Sequence, residues 1–277
     1  MVKDVIVVGA GIIGATIAKA FSDRGLDVVL LDDAREMSGT APSGGHLKPS
    51  WFGDLKKKDY EPAMKLLDET WGLLEEQFSV RAVGVTWAYT TVYRVDTDAV
   101  VSYPKETATV VSLREKENLP VVRLEDGREI QGRLLVVATG VWAQQLVPGM
   151  QITAKRGVSF RLPGQLKKGP FIKPWAPFKQ VVAHQQSDSE IWVGDGSAII
   201  AENWTDGRTQ ACLDRCQRAV GRIVAPIRTL TGYRPYAKSE GPCLLQKIGP
   251  SAWVATGAGK SGTIAAGWAA FRLLNCF

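Results

Sequence analysis

The chain has 277 residues, of which 45% are hydrophobic and 22% charged, so it has enough apolar residues for a packed core and global disorder is excluded. No apolar run approaches the roughly 18 residues of a membrane-spanning helix, and the N-terminus lacks the pattern of a signal peptide. Four cysteines are too few for a disulfide scaffold in a protein of this size. We therefore expect a protein of the reducing cytoplasm with no membrane partner.

The positive charge is unevenly distributed along the chain. The net charge is +6, yet no acidic residue occurs between Glu129 and Asp188, and that interval holds eight basic residues. Within residues 155–179 these alternate with aromatic residues, namely Phe160, Phe171, Trp175 and Phe178. Basic groups bind phosphates and aromatic faces stack on bases, so the pattern is typical of nucleic-acid binding. A solvated basic face with core aromatics fits it equally well, and both interpretations stay open here.

The first elements form a compact repeat of strand and helix. Residues 4–8 are a short β-branched run, which predicts a buried parallel strand. A helical pattern over 12–24 ends at Gly25, and residues 28–31 predict a second buried strand that leads to Asp32. Together they predict a β-α-β unit.

Hydrophobic periodicity predicts the remaining elements in chain order. We expect a helix over 61–78, strands over 80–93, a β-meander that turns at Asp126–Gly127, a buried strand over 134–138, strand-like segments over 152–197, a helix over 207–224, a strand over 252–256 and a helix over 262–274.

A glycine pattern lies between the first strand and the first helix. Gly9, Gly11 and Gly14 form G-x-G-x-x-G, and Asp32 follows Gly14 by 18 residues at the end of the second strand. The first glycine permits a tight turn, the second permits close approach of a pyrophosphate, and the third permits helix–strand packing. The helix N-terminus then binds the pyrophosphate, and the acid binds ribose hydroxyls. This combination predicts a dinucleotide site.

Two later segments favour a flavin over a nicotinamide cofactor. Thr139 and Gly140, with Trp142, follow a buried strand, and residues 256–263 (TGAGKSGT) join the last strand to the last helix. Glycine amides and a helix N-terminus are suited to contacts with a flavin dinucleotide. The GKS triplet does not complete a P-loop, because the required first glycine is replaced by Val254.

Four motifs together carry a family resemblance. They are VIVVGAGIIGATIAKAFSDRGLDVVLLD near the start, LLVVATGVWAQQL after the meander, TAKRGVSFRL, and TGYRPYAKSEGPCLLQKIG followed by VATGAGKSG. In this combination and order the chain resembles the D-amino-acid oxidase superfamily of the glycine oxidase and sarcosine oxidase type. The resemblance extends from end to end of the chain.

The resemblance implies a fold and a division into domains. The fold class is α/β (α+β), with a Rossmann-like FAD-binding domain and an antiparallel β-sheet substrate domain. We expect residues 1–79, 96–150 and 228–277 to form the discontinuous FAD-binding domain, and residues 80–95 and 151–227 to form the substrate domain. Because family members are longer, we expect the substrate domain to be reduced and its site to be open.

The resemblance also implies the cofactor and the residues that contact it. FAD is expected to lie along Gly9, Gly11, Ile12, Ile13, Gly14, Asp32, Asp33, Ser43, Gly44, Gly45, His46, Val110, Thr139, Gly140, Trp142, Gly259, Lys260, Ser261, Gly262 and Thr263. Arg234, in the G-x-R-P motif, is expected to hold a substrate carboxylate through its guanidinium fork. Tyr233 and Lys260 are further candidates for the catalytic site.

The implied reaction is oxidation of an amine C–N bond by hydride transfer to flavin, followed by imine hydrolysis. For an N-substituted glycine the products are glyoxylate and an amine, which is a net C–N cleavage. The loop SGGHLKPSW is similar to the oxidase domain of the bifunctional enzyme that modifies the tRNA wobble uridine. That likeness, with the basic segment 155–179, extends the hypothesis to a substrate attached to DNA or RNA.

Three alternatives remain at this point: a catabolic oxidase of a small free amino acid, a flavoprotein 2-hydroxy-acid dehydrogenase, and a flavoprotein that has lost activity and binds a partner. His46 and His184 are far apart and no cysteine pair accompanies either, so we expect no metal site. His46, in the flavin loop, either faces the flavin or carries a covalent link to it. Cys212 and Cys216, spaced i,i+4 on a predicted helix, are expected to be buried thiols.

Overall fold

The computed structural model describes residues 1–47, 57–82, 85–176, 179–239 and 241–277. The helices are α1 (Ile12–Ser22), α2 (Lys57–Trp71), α3 (Thr97–Ser102), α4 (Ala143–Leu146), α5 (Asp206–Val220) and α6 (Gly262–Leu274). The strands are β1 (Lys3–Val8), β2 (Val28–Asp32), β3 (His46–Leu47), β4 (Leu74–Ala82), β5 (Val85–Arg94), β6 (Glu106–Thr107), β7 (Val110–Lys116), β8 (Leu119–Leu124), β9 (Glu129–Val137), β10 (Thr153–Pro163), β11 (Phe171–Ala176), β12 (Lys179–Ser187), β13 (Glu190–Gly194), β14 (Ala198–Ile200), β15 (Arg228–Tyr236), β16 (Leu244–Gly249) and β17 (Ala252–Thr256). Within the described ranges no helix is long and apolar enough to cross a bilayer.

The first sheet confirms the predicted β-α-β unit. Its order is β16-β17-β9-β1-β2-β6, and β1 pairs in parallel with both β2 and β9. Alternate side chains of β1 enter two separate cores, since Val5 and Val7 pack against α1 and α6 whereas Ile6 and Val8 pack on the opposite face. Burial on both faces explains why this strand is an uninterrupted apolar run in the sequence.

The predicted helix over 61–78 is wrong in its second half. The helix α2 ends at Trp71, and Leu74 and Phe78 belong to β4. Gly72 has a left-handed φ of 68°, and the Asp68 carboxylate accepts a hydrogen bond from the Leu73 amide, so the helix stops there. The strand β4 then pairs along its whole length with β5, and this long-range pairing overrides the helical periodicity.

The second sheet has the order β14-β10-β13-β12-β11-β4-β5-β3, with β15 paired antiparallel to β10. The helix α5 packs on it through Cys212 and Cys216, which are both buried, as the sequence predicts. Residues 74–79 and 228–236, which we expected in the FAD-binding domain, form strands of this sheet. We therefore propose that the substrate domain includes these two segments.

Candidate active site

A cavity of about 1000 Å³ lies between the two sheets. Residues at the carboxyl ends of β1, β2 and β9 line one side of it, and residues of β10, β13 and β15 line the other. In parallel α/β sheets this edge is where ligands bind, because the helix N-termini point towards it. The geometry places the predicted dinucleotide site and the predicted substrate site in one continuous space.

The glycine turn after β1 allows three backbone segments to come close together. Gly9 has a φ of 100°, and a Cβ atom there would lie 2.6 Å from the carbonyl oxygen of Ala138. A Cβ atom on Gly14 would lie 1.8 Å from the carbonyl oxygen of Gly9. The turn therefore brings the first residues of α1, and with them the N-terminus of the helix, to the cavity wall.

Asp32 is held at the end of β2 by two backbone amides. Its Oδ2 accepts a hydrogen bond from the Ala10 amide at 2.6 Å, and its Oδ1 accepts one from the Ala34 amide at 2.8 Å. Each carboxylate oxygen retains acceptor capacity beyond these bonds, which suits it to a ribose hydroxyl. The neighbouring Asp33 also lines the cavity, and its carboxylate forms an ion pair with Arg35.

The Thr139 hydroxyl indicates what kind of ligand fits this wall. Its Oγ1 is buried and has no hydrogen-bond partner among the described residues, although Thr139 lines the cavity. A buried hydroxyl without a partner is costly, and a polar group of a bound ligand removes that cost. Together with the open turn at Gly9 and Gly11, this orphaned hydroxyl fits a phosphate- and hydroxyl-bearing cofactor.

The segment before α6 forms another part of the wall. Gly259, Lys260, Ser261, Gly262 and Thr263 all line the cavity, and α6 begins at Gly262. Gly259 has a φ of 55°, and a Cβ atom there would lie 2.6 Å from the ring of Tyr236. The second helix N-terminus thus faces the same space as that of α1.

Arg234 is a cation that faces the cavity without an ion-pair partner. It lies on β15 directly opposite Lys155 of β10, and like charges in that position repel one another. Its Nη1 donates one long hydrogen bond, 3.4 Å, to the Gly196 carbonyl oxygen, and no carboxylate of the described residues lies within ion-pair distance. Burial lowers the pKa of Arg234 from its ordinary value. The guanidinium is therefore available to bind an anion at the cavity wall.

Lys260 and Tyr233 lie on the same wall. Burial at the cavity, followed by repulsion from Arg234, Lys179 and Lys155, lowers the pKa of Lys260. The ring of Tyr233 makes an edge contact with that of Trp142, with 6.1 Å between centroids. The positive potential of this wall favours an anionic ligand.

The structure brings nearly all the predicted site residues to the cavity. The two exceptions are Gly14 and Gly45, which do not line it and instead allow close backbone packing. The sequence reasoning missed several lining residues, among them Thr40, whose Oγ1 accepts a hydrogen bond from the Ile12 amide at 2.8 Å, and Trp192 on β13. Neither residue belongs to a motif, so no local signal marked them.

The basic segment 155–179 does not form one continuous face. Phe160 and Phe171 are core residues, so they cannot stack on bases. Arg161 is 3% exposed and forms an ion pair with Asp98, and its charge is therefore compensated. Trp175 is 37% exposed and contacts Lys179 and Arg215, whereas Phe178 lies outside the described residues. Residues 48–51 of the SGGHLKPSW loop also lie outside them.

The two histidines, separated by 138 positions, are in direct contact. His46 Nε2 lies 2.9 Å from His184 Nδ1. Burial, and then the charge of Arg94, lower the pKa of His46 from 6.5 to about 3. Burial, and then the charges of His46 and Arg94, lower the pKa of His184 well below its usual value. Both imidazoles are therefore neutral at pH 7, and no group of three potential metal ligands occurs among the described residues.

These shifts predict acid sensitivity of the fold. As pH falls below about 6.5, the unfolded imidazoles take up protons while the folded ones do not, so the free energy of unfolding falls; for His46 this loss continues to about pH 3. Each such group contributes a slope of up to about 1.4 kcal/mol per pH unit. Urea denaturation at pH 7.5 and pH 5 should show a steeper loss for the natural protein than for His46→Asn/His184→Asn. Equal losses would contradict the prediction.

The parallel order of the first sheet, the glycine turn and the fixed acid at the end of β2 define a dinucleotide-binding class of protein, here with a second sheet that faces the cavity. A family model described as FAD dependent oxidoreductase (DAO) matches residues 4–102 and 105–273. The chain belongs to this family, and FAD is its cofactor. The predicted family, fold class and cofactor are therefore confirmed.

Solved structures show the same fold at low sequence identity. Glycine oxidase from Geobacillus kaustophilus has a TM-score of 0.74 at 16% identity, covering 99% of this chain and 94% of that one. Iminodiacetate oxidase from Chelativorans sp. has a TM-score of 0.70 at 18% identity, covering 96% and 93%. L-proline dehydrogenase from P. horikoshii has a TM-score of 0.70 at 16% identity, covering 99% and 94%. No curated protein matches the chain by sequence comparison.

Proposed function

We propose that this FAD-dependent oxidoreductase oxidises the C–N bond of an amino acid or N-substituted glycine. The observation that carries the proposal is Arg234, a cavity-facing guanidinium with no ion-pair partner among the described residues. A planar guanidinium binds a carboxylate bidentately and so fixes both its position and its orientation. The names of two fold neighbours, glycine oxidase and iminodiacetate oxidase, agree with a substrate that carries an amine next to a carboxylate.

The residues of this chain bind and orient the substrate. FAD supplies the acceptor for the hydride that leaves the substrate carbon. Arg234 holds the carboxylate, and the positive charge of Lys260 adds to the attraction. Holding the carboxylate fixes the neighbouring carbon for transfer. The amine proton passes to solvent, and water adds to the resulting imine to release the amine and, for an N-substituted glycine, glyoxylate.

Anaerobic reduction of the bound flavin tests this function. We expect bleaching of the flavin absorption by at least one member of a panel containing glycine, N-methylglycine, iminodiacetate and D- and L-amino acids. Lactate and other 2-hydroxy acids serve as matched carboxylates without the amine. Bleaching by the hydroxy acids but by none of the amines would replace the proposal with a 2-hydroxy-acid dehydrogenase.

The exposed lysines of the basic segment support a second candidate, a substrate attached to nucleic acid. Lys167, Lys168 and Lys179 are exposed, and Lys179 also lines the cavity. Counterion release makes such binding strongly dependent on salt. Adding a nucleoside that carries an N-carboxymethylamine to the same panel, and titrating single-stranded RNA at low and high salt, distinguishes the two candidates. Bleaching by free amino acids without any RNA binding at low salt rejects the attached substrate.

A further inference from the structure

A chain of hydrogen bonds runs from the cavity to the protein surface through four side chains. His46, on the cavity wall, contacts His184, and His184 Nε2 lies 2.9 Å from Gln186 Oε1. Gln186 Nε2 donates to Asp98 Oδ2 at 2.8 Å. Asp98, in the first turn of α3, is exposed and also accepts from Arg161 at 3.0 Å. The family motifs include only the first of these residues, and the proposed reaction gives a role to none of them.

The carboxylate at the outer end fixes the direction of every bond in the chain. Asp98 can only accept, so the Gln186 amide must present its NH₂ to Asp98 and its oxygen to His184. His184 Nε2 must then carry a hydrogen and donate it. In a neutral imidazole the other nitrogen is an acceptor, so His184 Nδ1 accepts from His46 Nε2–H. His46 Nδ1 is consequently left with a lone pair.

The surroundings keep both rings neutral and in place. His184 is 0% exposed, and the Trp192 ring stacks on it with 5.2 Å between centroids and 14° between planes. The same indole makes an edge contact with His46 at 5.1 Å. The cations Arg94 and Arg161 face the pair from β5 and β10, and they oppose a positive charge on either imidazole. The carboxylates nearby, Glu76 and Asp98, are already paired with those two arginines.

The Nδ1 edge of His46 lies against the loop that lines the cavity. A Cβ atom on Gly44 would be 2.5 Å from His46 Nδ1, so only glycine leaves room for the ring there. Gly44 and His46 both line the cavity. No hydrogen bond from the described residues reaches His46 Nδ1, and the residue lines the cavity, so a donor bound there can pair with this lone pair.

We propose that Asp98, Gln186 and His184 are positioning residues that hold His46 in its Nε2–H tautomer, so that His46 Nδ1 accepts a hydrogen bond from an N–H group bound in the cavity. The N–H group belongs either to the substrate amine or to the cofactor. The assignment of the His46 tautomer is independent of the proposed function. The assignment of a substrate amine as the donor rests on the proposed function.

Nitrogen NMR of the holoenzyme tests the tautomer directly. The chain contains two histidines, so ¹⁵N-histidine labelling yields four ring nitrogens. We expect both rings to show a protonated Nε2 and an unprotonated Nδ1 at pH 7. Gln186→Leu removes the acceptor that fixes His184, and we expect the ring-nitrogen shifts of both histidines to move towards a mixture of tautomers. A protonated Nδ1 on His46, or unchanged shifts in Gln186→Leu, would overturn the relay.

Gln210→Leu is the matched control, because Gln210 makes the same type of bond to a carboxylate, 2.8 Å to Asp214, on the remote helix α5. It should leave all four shifts unchanged. Asp98→Asn provides a second test if Gln186→Leu fails to fold. The asparagine side chain can both donate and accept hydrogen bonds, so it no longer fixes which end of the Gln186 amide faces it. The same mixture of tautomers is expected there.

Two variants of His46 test its role as an acceptor. His46→Ala should either weaken the affinity for FAD about 10-fold or raise the KM of the substrate about 10-fold, as expected for one lost hydrogen bond. Weaker FAD affinity without substrate identifies the cofactor as the donor, and a raised KM with unchanged FAD affinity identifies the substrate. His46→Asn, whose side-chain oxygen can replace Nδ1, should recover most of the loss. Natural FAD affinity and natural KM in His46→Ala would refute the acceptor role.

Discussion

Arg234→Ala is expected to lower kcat/KM for a carboxylate substrate by at least about 30-fold while the flavin spectrum and FAD content stay unchanged. Truncating one partner of a desolvated, hydrogen-bonded charge pair typically costs 2–5 kcal/mol, and about 2 kcal/mol corresponds to that factor. The cavity offers no second guanidinium on β15, and Lys260 cannot reproduce the planar fork. Stopped-flow reduction of the bound flavin, measured against substrate concentration, gives the value.

Two controls accompany this measurement. Arg234→Lys keeps the charge but loses the bidentate geometry, so it should recover only part of the loss. Arg228→Ala removes an exposed arginine from the same strand and should leave kcat/KM unchanged. Natural kinetics in Arg234→Ala would remove this residue from the site and with it the main support for a carboxylate substrate.

Gly9→Ala is expected to abolish FAD binding and to lower the free energy of unfolding by about 3 kcal/mol or more. The added Cβ meets the Ala138 carbonyl at 2.6 Å, which is backbone and cannot move without displacing β9. The left-handed φ of 100° adds a conformational cost of about 1–2 kcal/mol. Flavin absorption of the purified variant and its urea denaturation curve report the two effects.

Gly25→Ala separates the two costs. Gly25 also has a left-handed φ, 81°, but no atom lies within 4 Å of a Cβ built there. This variant should lose only about 1–2 kcal/mol and should bind FAD normally. A Gly9→Ala protein that is yellow and as stable as Gly25→Ala would show that the turn tolerates a side chain, contrary to the geometry.

The elements that sequence patterns predicted well are those whose cause is local. The strand β1 and the helix α1 follow from an apolar run, a glycine turn and helical periodicity within about 20 residues. The predicted turn of the meander at Asp126–Gly127 is likewise a short-range signal, and β8 and β9 flank it. Local predictions failed where a long-range pairing competed with the local pattern. Hydrophobic periodicity predicted a helix over residues 74–78, but these residues pair with β5 and form part of a strand.

The candidate site shows the same division. Motifs predicted Gly9, Asp32, Thr139 and Arg234, because each lies at a fixed offset from a strand or turn, and all four line the cavity. Nothing in the sequence spacing connects His46 with His184, since 138 positions separate them. The pairing of β3 with β5 and the order of strands in the second sheet bring His46 Nε2 to 2.9 Å from His184 Nδ1.

The sequence by itself determined the β-α-β unit, the dinucleotide turn and the concentration of positive charge over residues 130–187, because composition and short-range spacing are read along the chain. Only the tertiary structure decided how that charge is used. It buries Phe160 and Phe171, pairs Arg161 with Asp98, and leaves Arg234 without an ion-pair partner in the described part of the cavity. The physical reason is that burial and charge compensation depend on which strands become neighbours, and strand order is a property of the folded sheet.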